Sequence, residues 1–430
     1  MLNWDDPLAP PVSNGKQPPK PLVVNSFFDS PTVEVDKSEF SAETQVIVES
    51  STAQPQKTSE TLTGVAASNP SDQEAAATEI YSRRAPSPLP QGQFQPQQPI
   101  RAEDKRVING SGDINQLAPF KYPWAWEFFI NANKNHWTPL DINMAQDVSD
   151  YHHKLTPAER HVYENVLAYL TTSDILAMRN IGLAVMEKMT APELQIYQAR
   201  QVYEEALHTW TYQHCIETIG LDQSEIYNRY RVVPEINAKI QLANRRLNAA
   251  MRPDINLKNR DDLHDFVLSY TFFAGIFEGS WFYNGFTPIF ALQRRGLMKG
   301  TGEQLQYIMR DEVLHCSFGI RVVRQIMHEE NVQLDPQALR QMWDEAEAAE
   351  IGYSNFLLPN PILGYSAQDH QEQFRFIANR RARQLGLDEP FPGAQNALPW
   401  LDEQSNMRKE KNFFETRVTE YQTGGALKWD

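Results

Sequence analysis

Apolar and polar positions divide the chain into three stretches of different character. Up to about residue 105 neither a helical nor a strand period persists; RRAPSPLPQGQFQPQQPIRAEDK sets Pro86, Pro88, Pro90, Pro96 and Pro99 among glutamines. Such a segment buries too little apolar surface to offset its ordering entropy. Residues 1–105 are therefore expected to form a disordered Pro/Gln/Ser-rich extension acting as a tether. From about Trp124 the composition turns aromatic and then periodic. Thr156 and Glu159 make a capping-box pattern with Pro157 at the first helical position, and apolar residues recur at Val162, Val166, Leu170 and Leu176. Thr190, Pro192 and Glu193 repeat the start signal, which predicts one helix ending near 189 and another beginning near 191. Further helices are predicted over 224–250, 262–293 and 302–330, the last two parted by Gly296, Gly300 and Gly302. Strand signals are nearly absent. The pattern predicts an all-α core over residues 106–400 and a flexible tail over 401–430.

Composition removes several classes of function. The 41% of hydrophobic residues supports one large core, and the net charge of −15 with no basic stripe argues against a nucleic-acid-binding surface. No run approaches the roughly 18 apolar residues that cross a bilayer, and MLNWDDPLAPP lacks the basic-then-apolar order of a secretory signal, so a cytoplasmic location is expected. Two cysteines, Cys215 and Cys316, are too few for a disulfide framework or a thiolate zinc site.

The candidate chemistry lies on two of the predicted helices. VYEEALHTWTYQHC places Glu205, His208 and Tyr212 at offsets of three and seven residues, one face of a helix, and RDEVLHCSFG repeats the spacing with Glu312 and His315. One Glu-x-x-His pair is an ordinary helix-face contact. Two pairs on separate helices are what a dinuclear carboxylate site draws from two helices of a four-helix bundle, the other two helices giving one carboxylate each. Antiparallel neighbours of 25 to 30 residues put their midpoints roughly 30 residues apart in the chain. Counting back 31 from Glu205 reaches Asp174, and counting back 34 from Glu312 reaches Glu278, both lone acids in apolar runs. A buried carboxylate is costly unless paired or bound to metal. Bridging carboxylates with one imidazole per metal suit iron or manganese, whereas zinc more often takes compact histidine and cysteine clusters.

In order and spacing, SDIL with Asp174, EALHTWTY with Glu205, His208 and Tyr212, FEG with Glu278, and RDEVLH with Asp311, Glu312 and His315 resemble the small, radical-generating subunit of class I ribonucleotide reductase. The likeness extends over about residues 120–430. The resemblance implies a ferritin-like four-helix bundle with extra helices. It implies that Asp174, Glu205, His208, Glu278, Glu312 and His315 hold a dinuclear metal centre, which reacts with dioxygen and oxidises Tyr212 to a radical. Phe282, Phe286 and Ile308 match an apolar pocket round the tyrosyl oxygen. Trp137, in NKNHWTPLD, and Asp311 match the path that joins His208 to the surface. The oxidising equivalent then passes, with Tyr421 as relay and Glu420 beside it, to the large (alpha) subunit, on which the C-terminal tail docks and where ribonucleoside diphosphates become deoxyribonucleotides for DNA replication. A homodimer is implied as well. Two iron ions are the first expectation for the centre. A Mn/Fe or two-Mn pair stays open, because the tail NFFETRVTEYQTGGAL resembles a branch with phenylalanine at the tyrosine position and a manganese and iron pair. The N-terminal hundred residues have no counterpart in the minimal subunit. A stand-alone di-iron oxygenase or oxidase and a ferritin-like iron store are the alternatives, which Tyr212, the Trp137–Asp311 pair and Tyr421 argue against.

Overall fold

The computed structural model of the chain describes residues 100–401, residue 363 excepted. The expectations for residues 1–99, for the tail beyond 401 and for Glu420 and Tyr421 lie outside the described residues. At the start of the described residues Ala102–Asp104 form a 3-10 turn, and Lys105 is buried against Glu193 (3.5 Å).

Successive helices are α1 (Pro123–Ala132), α2 (Ala145–His153), α3 (Pro157–Asn180), α4 (Pro192–Ile219), α5 (Gln223–Val232) and α6 (Pro234–Asn248). They are followed by α7 (Arg260–Thr271), α8 (Tyr283–Arg294), α9 (Lys299–Glu329), α10 (Pro336–Leu357) and α11 (Ala367–Leu385). Among the described residues there is no strand, only an isolated bridge between Ile362 and Tyr365, and no helix is long and apolar enough to cross a membrane.

The start of α3 follows from its residues. Thr156 Oγ1 accepts from the Glu159 amide (3.3 Å), Glu159 Oε2 accepts from the Thr156 amide (2.7 Å), and Pro157 sits where no amide is needed. α3 then runs through a π-helical turn, Ile181–Val185, to Lys188. The similar pattern at Thr190 and Glu193 does not make a box. Ala191 caps α4, and both polar residues instead hold the crossing segment 105–122. Thr190 Oγ1 donates to Arg106 O (2.9 Å) and accepts from the Gly110 amide (3.0 Å), while Glu193 Oε1 accepts from the amides of Lys121 (3.1 Å) and Tyr122 (3.2 Å). A segment crossing a helix end needs partners for its own backbone, and that demand overrides the local cap. The single helix expected over 224–250 is two, because Pro234 brings no amide and holds Val233 extended (φ −97°, ψ 111°).

The helix expected over 262–293 is continuous but changes register. Between α7 and α8, Phe272–Phe282 is π-helical. The next helix, α9, begins at Met298, which has a positive φ of 49° and offers no side-chain cap. The cap comes from α2: Asp147 accepts from the amides of Gly300 (2.8 Å) and Thr301 (2.7 Å), and Asp150 from that of Met298 (3.1 Å). α3 lies along α4, α9 along the π segment, and α10 and α11 cover the far side. One continuous apolar core runs between them.

Candidate metal centre

Four of these elements bring acids and imidazoles to one point in the core. α3 contributes Asp174, α4 Glu205 and His208, the π segment Glu278, and α9 Glu312 and His315; all six are 0% exposed. They form two overlapping groups, Asp174–Glu205–His208–Glu312 and Glu205–Glu278–Glu312–His315, whose donor atoms lie within 4.8 Å of one another. Glu205 and Glu312 belong to both. Both imidazoles turn Nδ1 inward: that of His208 is 3.4 Å from Asp174 and 3.3 Å from Glu312, and that of His315 is 3.0 Å from Glu205 and 3.6 Å from Glu312.

The inward atoms face one another but make no hydrogen bond. Both oxygens of Asp174, Glu205 and Glu312, one of Glu278, and Nδ1 of both histidines are buried without a hydrogen bond. Orphaned buried acceptors are rare, and a whole set converging on one volume calls for a cation. Four carboxylates carry a formal −4, which two divalent ions would balance, and two shared carboxylates between two histidines fit a dinuclear site. Electrostatics agree. Burial pushes the Asp174 and Glu278 carboxyls well above the usual range. Burial works the same way on Glu205, but the two histidines outweigh it and bring Glu205 down to about 2. For His208, burial disfavours the charge, yet the surrounding carboxylates hold its pKa well above the ordinary value.

A second layer fixes the imidazoles. His208 Nε2 meets Asp311 Oδ2 at 3.2 Å, and Trp137 Nε1 donates to the same oxygen at 3.2 Å. The Trp137 indole is stacked on Tyr307, with ring centroids 5.4 Å apart. On the other side His315 Nε2 meets Glu204 Oε2 at 2.8 Å, and Arg200 Nε donates to Glu204 Oε1 at 2.9 Å. Gln201 Nε2 donates to Glu278 Oε1 at 2.8 Å. Tyr212 is completely buried and its hydroxyl has no partner. Burial, with the charges of Asp174, Glu312 and Glu205, pushes that hydroxyl far above the ordinary phenol pKa. Phe282, Phe286 and Ile308 are also completely buried.

A family model, "Ribonucleotide reductase, small chain", matches residues 114–399, most of the chain and all the residues just described. The chain belongs to this ribonucleotide reductase family. The "Ribonucleoside-diphosphate reductase subunit beta" of Chlamydia pneumoniae is 38% identical over 77% of this chain and 96% of its own length. The small subunit of Dictyostelium discoideum is 30% identical over 75% of this chain and 90% of its own. Among solved structures, the R2 subunit from Clostridium botulinum superposes with a TM-score of 0.64 at 23% identity, covering 70% of this chain and 94% of that one.

As a class I ribonucleotide reductase small subunit, the chain is the beta component of an oxidoreductase, with the ferritin-like bundle of that family. Small subunits of ribonucleotide reductase work with a large one. Sequence reasoning missed Glu204, Arg200 and Gln201. The signal was present, since EEALH holds two adjacent acids, and successive helical positions point about 100° apart, so Glu204 faces away from the Glu205 direction and takes the outer nitrogen of His315. Arg200, one turn earlier, is its i,i+4 partner.

Proposed function

We propose that Asp174, Glu205, His208, Glu278, Glu312 and His315 hold two redox-active metal ions, and that this small subunit generates a Tyr212 radical for its large subunit. Iron is the first choice, and manganese in one or both positions suits the same donors. When bound, such a pair reduces dioxygen and supplies the oxidising equivalent.

The protein's own residues do the rest. Tyr212 would give up one electron to the oxidised centre and its hydroxyl proton to a basic oxygen on the side of the centre, where the charges of Asp174, Glu312 and Glu205 reach its oxygen, leaving a neutral radical. Complete burial keeps water and reductants from that oxygen. The contacts His208–Asp311–Trp137 lead from the centre to a residue with 7% exposure, which suits an exit for the oxidising equivalent. Beyond it the tail, with Tyr421 as relay, would dock on the large subunit, where ribonucleoside diphosphates are reduced. A homodimer in the cytoplasm completes this reading.

The observation that carries the proposal is the Tyr212 hydroxyl, buried without a hydrogen-bond partner and under the charge of Asp174, Glu312 and Glu205 of the donor set. Tyr212→Phe tests it. Iron-loaded protein exposed to air should give a tyrosyl doublet in electron paramagnetic resonance and reduce nucleotides with the large subunit. The variant should bind the same two metals, lose the doublet and lose turnover. Full turnover in the variant would exclude the tyrosyl mechanism.

A further inference from the structure

The segment that carries Glu278 is π-helical for eleven residues, Phe272–Phe282. Most π-helix occurs as a single turn inside an α-helix, because the wide register packs less well, so a run of this length needs something outside it to hold it. Ser280 Oγ donates to the Gly275 carbonyl five residues earlier (2.8 Å), a bond that the wide register makes available. The other tie comes from α11. Arg381, 2% exposed, donates from Nε to the Gly279 carbonyl at 2.7 Å, and its guanidinium lies over the Tyr283 ring, 4.6 Å from the centroid. It thus touches the carbonyl next to Glu278 and the first residue at which the α register resumes.

Gly279 leaves room for this contact and for nothing else. A Cβ there would stand 2.5 Å from the Ala274 carbonyl oxygen, 2.9 Å from Cys316 Sγ and 3.2 Å from Arg381 Nε. Nη1 of the same guanidinium donates to Gln384 Oε1 at 2.9 Å, one turn along α11, so the side chain is fixed at both ends.

We infer that Arg381 is a positioning residue for the centre: by holding the Gly279 carbonyl it keeps the π register that aims Glu278 at the second metal position. The inference rests on the reading of Glu278 as a metal ligand. In an α register the same residues would turn Glu278 away by a fraction of a turn, and the group containing His315 would lose a donor.

The test compares full-length wild type, Glu278→Ala, Arg381→Lys and Arg381→Met, each loaded with iron(II) or manganese(II) under anaerobic conditions. Bound metal per chain and amide hydrogen exchange of the 272–282 peptide are measured on each. Wild type should hold two metals and Glu278→Ala about one. Arg381→Met should also hold about one, with faster exchange confined to 272–282, and Arg381→Lys should recover part of both. A merely structural role would speed exchange across α11 and its neighbours without removing one metal selectively. Two metals with wild-type exchange in Arg381→Met, while Glu278→Ala loses one, would overturn the clamp and leave the ligand reading standing. Two metals in Glu278→Ala would remove the ligand reading first, and the clamp with it. If Arg381→Met does not fold, Arg381→Lys decides: unchanged metal content and exchange there count against the clamp.

Discussion

Replacing Asp311 with asparagine separates making a radical from delivering it. The Asp311 carboxylate is completely buried, and its Oδ2 serves His208 Nε2 and Trp137 Nε1 at 3.2 Å each, while Oδ1 accepts from Asn135. An amide of the same shape has one acceptor oxygen. If that oxygen stays toward His208 and Trp137, Asn135 must turn its own amide and give up its contact with the Tyr307 carbonyl (3.4 Å). Hydrogen bonds to a charged group contribute about 1 kcal/mol more than neutral ones, so weakening the two on Oδ2 should cost the fold about 2 kcal/mol, to which the rearrangement of Asn135 adds. For a domain of this size that is a fall in Tm of about 4 °C. The larger effect is on the centre. Loss of the carboxylate behind a ligating imidazole typically costs 10–100-fold in metal affinity, and His208 should show a loss of about that size. At saturating metal the Tyr212 radical should still form, because Tyr212 does not depend on Asp311 for a hydrogen bond. Turnover with the large subunit should fall by about a further ten-fold, since the neutral oxygen keeps the contacts to His208 and Trp137 but no longer makes them charge-assisted. Metal titration, radical yield by electron paramagnetic resonance and nucleotide reduction on one preparation measure the three effects. Wild-type turnover per radical would refute the path, and unchanged metal affinity would refute the role of Asp311 behind His208.

Three further predictions concern the fold that carries the centre. Lys239 is buried in a cage of Tyr169, Trp281 and Tyr353 rings (3.9, 4.7 and 4.5 Å) and pairs with Glu350 at 2.6 Å. Burial lowers the lysine's pKa despite that partner, so the pair as a unit is a modest stabiliser. Lys239→Met should nevertheless cost about 3 kcal/mol, because Glu350 Oε2 loses its cation while Oε1 keeps only His370 (2.7 Å) and Asn284 (2.6 Å), and adding Glu350→Gln should recover much of it; equal losses in the single and double variants by urea denaturation would contradict this. Burial raises the Glu350 pKa, but Lys239 and His370 outweigh it and hold the carboxyl at about 2, below the ordinary 4.5. Its stabilisation is therefore complete above about pH 4.5 and lost as pH falls toward 2, and Glu350→Gln should flatten the acid limb of stability against pH. Asp147→Ala removes the acceptor for two amides and the Thr301 hydroxyl at the start of α9, and should cost about 2–4 kcal/mol with metal stoichiometry unchanged. A loss below about 1 kcal/mol would mean that another group caps α9.

What the sequence revealed and concealed has a physical pattern. Asp174 and Glu278 were legible because a lone acid in an apolar run must be explained, and helix length fixes how far apart midpoints fall in the chain. Glu204, Arg200, Arg381 and Lys239 were not. A charged residue on a helix reads as solvated until the neighbouring helix that covers it is known, and the partners of three of these four are distant in sequence. The π register was hidden for the opposite reason. FFAGIFEGSWF is apolar almost throughout, so no face contrasts with another and 3.6 cannot be told from a wider period. Thr190 and Glu193 had the right letters for a cap, but a crossing segment competed for the same atoms.

The two halves of the centre differ mainly in what stands behind them, and that difference bears on direction. Each half has one imidazole with Nδ1 inward and a carboxylate at Nε2, and the two halves share Glu205 and Glu312. Behind His208, Asp311 is held by neutral donors, one of them the Trp137 indole, which stacks on Tyr307. Behind His315, Glu204 is held by Arg200, whose guanidinium also lies over the Tyr203 ring, 4.8 Å from its centroid. A guanidinium cannot give up an electron at accessible potentials, and a positive charge on a ring face makes removing an electron from that ring harder. On the proposed reading, Arg200 makes that side the less favourable one for the oxidising equivalent while still orienting its histidine. Exit by way of His208 then does not require a shorter distance on that side. On the same reading it rests on one second layer meeting a stacked indole that leads outward while the carboxylate of the other is tied to a cation.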